Sequence, residues 1–139
     1  MSLAIAAVLV VPPDRSSADV VEALPVDLRP VGEATETSWG VPGLANGRFS
    51  YSVSPMGFVL LTLTFSGTQA LEDPGRVDAI LEKVRELGER LGARFGYLTR
   101  YEHEFGGDWQ EQNVLVPLLI EEPDLIPQRG FERVLIAPR

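Results

Sequence analysis

His103 is the only histidine in the chain, and it stands between Glu102 and Glu104 with Asp108 and Glu111 a few residues on. Imidazole titrates near neutral pH, so a histidine beside carboxylates is the first place to look for acid–base work or a metal ion. One histidine cannot build a multi-histidine metal site. If residues 102–104 are extended, Glu102 and Glu104 point away from His103, so the three cannot readily share one cation. What remains is a lone general base, His103, oriented by Asp108 or Glu111. The bland reading of the same residue is a histidine at the surface or at the core edge. The metal reading is thereby weakened, and no cofactor is expected.

Other nucleophiles and cradles have less support. Ser50, Ser52 and Ser54 alternate along a strand-like run, with no G-x-S-x-G elbow or S-x-x-K motif around any of them. Gly40, Gly43 and Gly47 are not followed by Lys-Ser/Thr, so a phosphate loop is not expected. The chain has no cysteine, which removes disulfides, thiolate metal sites and a cysteine nucleophile.

The distribution of charge is more informative. The net charge is −8. Residues 101–124 hold seven acids (Glu102, Glu104, Asp108, Glu111, Glu121, Glu122 and Asp124) and neither lysine nor arginine. Tyr101, Phe105 and Trp109 are interleaved with them. This pattern has three readings. It is a solvated loop and strand edge with its aromatics turned inward, a protein-binding face, or a cation or catalytic site. On a binding face the aromatics supply buried area at low entropic cost, and the carboxylates steer a basic partner. An acidic surface repels nucleic acid and anionic lipid, so neither is expected as a partner.

These residues must be held by a fold. With 139 residues, 45% apolar and 23% charged, the chain suits one domain with a genuine core. The run Leu3–Val11 is entirely apolar. It is too short to cross a membrane as a helix, and only Met1 and Ser2 precede it, so it is expected to be a buried strand rather than a signal segment. Continuous apolarity predicts a strand covered on both faces, or a central strand with small residues on one side. A cytoplasmic location fits the lack of cysteine.

Pro12-Pro13 stops that strand, and Ser16 with Asp19 has capping-box spacing for a short helix carrying Val20, Val21 and Leu24 and ended by Pro25. Val26, Leu28 and Val31 are read as a short edge strand, and 32–47 as a long loop in which Trp39 packs the loop onto the core, the alternatives being a pocket lid or a protein contact. Arg48–Ser54 and Phe58–Ser66 form a hairpin around Pro55-Met56-Gly57. Asp73-Pro74 opens a helix to Gly92, with Val77, Ile80, Leu81, Val84, Leu87 and Leu91 as its apolar stripe. Arg94–Phe105 alternates as a strand. Val114–Ile120, interrupted by Pro117, is read as an edge or bulged strand. Phe131–Ala137 closes the chain as a further strand.

The elements with their own start and stop signals run strand, helix, strand, strand, helix, strand. The expected fold class is α+β, in the ferredoxin-like βαββαβ order: an antiparallel sheet with two helices on one face, plus a C-terminal strand extension. This order resembles many ferredoxin-like domains, among them small dimeric monooxygenases and ligand-sensing modules. A small acidic α+β domain without a catalytic constellation also resembles bacterial toxin-neutralising immunity proteins. The expectation is a non-enzymatic binding domain that docks or neutralises a basic protein, immunity-protein-like or secretion-chaperone-like. Its surface would comprise Tyr101, Glu102, Glu104, Phe105, Asp108, Trp109, Glu111, Glu121 and Glu122. The alternative is a small ferredoxin-like enzyme or sensor with a pocket near His103 and Asp108. Monomer and homodimer are both compatible with the sequence.

Overall fold

The centre of the molecule is the strand whose sequence has no polar residue. A computed structural model of the chain describes residues 4–29, 38–41, 44, 47–53, 57–101, 116–122 and 133–138. In it Ala4–Val11 is strand β1, with β4 (Val59–Ser66) and β5 (Phe95–Tyr101) both antiparallel to it on either side. From Ile5 onward every residue of β1 is buried, as a strand covered on both faces requires. Ile5, Leu9 and Val11 join Leu61, Leu63 and Phe65 of β4 on one face. Ala6, Val8 and Val10 join Leu60 of β4 with Phe95 and Tyr97 of β5 on the other.

The sheet is completed by β2 (Ser38–Gly40), β3 (Arg48–Val53) and β6 (Arg133–Ile136). Its order is β2-β3-β4-β1-β5-β6, and every described pairing is antiparallel. The architecture is α+β. The expected β3–β4 hairpin is present, with Val53 opposite Val59, and Gly57 adopts a φ of 87° in the turn. Ser54, Pro55 and Met56 lie outside the described residues.

Two helices cover the first face. α1 (Ser17–Ala23) opens with the expected capping box: Ser16 Oγ accepts from Asp19 N at 3.1 Å, and Ser16 N donates to Asp19 Oδ2 at 3.0 Å. Those bonds hold the Asp19 carboxyl below its usual range. Val20 and Leu24 are buried under α1, but Val21, expected on the same face, is exposed. One residue round a helix is a rotation of about 100°, which carries Val21 off the stripe.

A short helix, α2 (Gly67–Glu72), leaves the end of β4 and leads into α3 (Pro74–Leu91). α3 begins with Asp73 Oδ1 accepting from Arg76 N and ends at Gly92 with a φ of 69°. Its six-residue apolar stripe is buried throughout. At Gly88 the helix comes so close to the sheet that an added methyl would collide with Ile136 Cδ1 of β6. Arginines close the helix ends. Arg15 Nε donates to Leu91 O at 3.0 Å and Arg90 Nη1 to Ala23 O at 2.9 Å, so each places a cation at the negative end of a helix dipole.

Three expectations need correcting. Val26–Leu28 is a 3-10 turn rather than an edge strand, with Leu28 buried and Val26 exposed. Val31 lies outside the described residues. The edge strand comes from the stretch read as loop, at Ser38–Gly40. Trp39 fixes it by stacking on Phe49 at 5.1 Å and donating from Nε1 to Leu28 O at 3.0 Å. Trp39 is thus packed on the core, as expected.

The third correction concerns Val114–Ile120, read as a strand. Val116–Glu121 is a helix, α4, with Pro117 in its first turn, where the missing N–H costs nothing. Leu119 of α4 is buried in the second cluster, with Ile120 packed against it. Helical cover is therefore not confined to one face, because the Phe95–Tyr97 side of the sheet is apolar and needs covering as well. No helix among the described residues is long and apolar enough to cross a membrane.

Candidate protein-binding surface

The strand that delivers the acidic segment is β5. Its alternation turns Phe95 and Tyr97 into the second cluster and Leu98 into the first. Its last residue, Tyr101, is opposite Ala4, and Ala4 is opposite Ser66 on its other side. Tyr101 therefore ends β5 in one row with the start of β1 and the end of β4. The chain returns to the described structure as α4, over the second face.

Glu121 and Glu122 are exposed, one ending α4 and the other just beyond it, and Glu122 N donates to Leu118 O at 2.9 Å. The negative end of a helix dipole favours cations, and α1 and α3 receive arginines there. α4 instead has two carboxylates. At an exposed position this placement is only a small unfavourable contribution, typically about 0.3–1 kcal/mol.

Of the nine binding residues expected from sequence, Glu121 and Glu122 are described with their side chains and Tyr101 through its backbone pairing. Glu102, Glu104, Phe105, Asp108, Trp109 and Glu111 lie outside the described residues, as does Asp124. So do His103 and its suggested partner Asp108, and with them the catalytic alternative.

Two of the three alternating serines can be placed, Ser54 lying outside the described residues. Ser50 lies between Ser38 and Thr62 across the sheet, and Ser52 lies opposite Leu60. None of these cross-strand neighbours is a base that could activate a serine hydroxyl.

Sequence reasoning missed α2. Its Leu71 is 84% exposed, beside exposed Glu72 and Asp73, and α2 follows directly on Ser66 at the end of the sheet where β5 finishes. The signal was present as a single leucine among polar and acidic residues, but a six-residue helix shows too few turns for a periodic pattern to register. No protein-family model, curated protein or solved structure matches the chain, so its own residues carry the functional reading.

Proposed function

We propose that this protein is a non-enzymatic binding domain that docks or neutralises a basic protein through residues 101–124. The observation that carries the reading is the charge of that segment: seven carboxylates, no lysine or arginine, and Tyr101, Phe105 and Trp109 among them. The exposure of Glu121 and Glu122 to solvent supports it. Glu102, Glu104, Asp108 and Glu111 complete the steering field, and the aromatics are the anchors. A cationic toxin or a basic secreted client has the matching chemistry.

The scaffold is read as ferredoxin-like. The inner strands run β3-β4-β1-β5; α1 lies in the chain between β1 and β3, and α3 between β4 and β5, each pair having one strand between them in the sheet. β2 and β6 then extend the two edges. That topology hosts many functions, so it adds nothing to the choice of partner.

The test is capture by the whole chain, wild type against Glu102→Gln/Asp108→Asn/Glu111→Gln, followed by an affinity series in salt with the recovered protein. A basic partner held by wild type and recovered in clearly smaller amount by the triple variant is expected. A partner held equally by both removes the acidic segment as the interface.

A further inference from the structure

We draw no further inference here: the strongest candidate, the exposed Leu71 of α2 beside Glu72 and Asp73 at the end of the sheet where β4 and β5 finish, is a small apolar and acidic patch, and nothing in the structure shows what covers it.

Discussion

Helix α3 and the segment 101–124 are both rich in carboxylates, but only α3 carries lysines and arginines equal in number to its acids. Along Pro74–Leu91 there are four acids and four bases. Glu82 accepts from Arg85 Nε at 3.0 Å, Glu86 lies 3.7 Å from Lys83, and Asp78 pairs with Arg133 at 2.9 Å. The Arg85 hydrogen bond holds the Glu82 carboxyl below its usual range. This is a surface neutralised by its own neighbours, over a buried stripe. Residues 101–124 contain no lysine or arginine to do the same. The helix ends repeat the contrast, with Arg15 and Arg90 closing α3 and α1, and Glu121 and Glu122 at the end of α4. The two stretches therefore differ in the balance of charge within their own sequence, not in the number of acids alone.

The largest effect should come from the buried side of α3. Leu81→Ala removes a side chain that is 2% exposed and should cost roughly 2–5 kcal/mol in urea unfolding. A loss within error would mean that the α3 stripe is not the core. On the other side of the comparison, Trp109→Ala should leave unfolding unchanged. It should speed dissociation of the captured partner about 30-fold, equivalent to about 2 kcal/mol. The reverse outcome, lost stability with intact binding, would assign Trp109 to the core. Gly92→Ala places a Cβ at a left-handed position and should cost about 1–2 kcal/mol, read as a lower midpoint at unchanged slope.

The sequence made β1, the β3–β4 hairpin, α3 and its stripe legible, because each carries one period or an unbroken apolar run together with its own stop signals. It was less explicit where tertiary contacts choose the element. Nothing local marks Ser38–Gly40 as a strand; the stack of Trp39 on Phe49 and its bond to Leu28 O decide it. Pro117 suggested a broken strand, while the need to cover Phe95 and Tyr97 selected a helix that begins just before it. In the candidate site, the charge of 101–124 is plain from the residues alone. The position of Glu121 and Glu122 at a helix end is not, because it depends on α4 being a helix.

The smallest effect sharpens the contrast from the other side. Glu82→Gln breaks a bidentate pair on an exposed helix face, and exposed pairs contribute little. Unfolding and partner association should both be unchanged. A marked fall in association would extend the interface onto α3.

The most direct measurement is the association rate of the captured basic partner across a salt series, for wild type and for Glu102→Gln/Asp108→Asn/Glu111→Gln. Exposed charge is screened over about 8 Å at physiological ionic strength, so the wild-type rate should fall steeply as salt rises. At low salt the triple variant should associate at least about tenfold more slowly, with a shallower salt dependence and a nearly unchanged dissociation rate. Equal rates and equal salt slopes for the two proteins would contradict a docking role for residues 101–124.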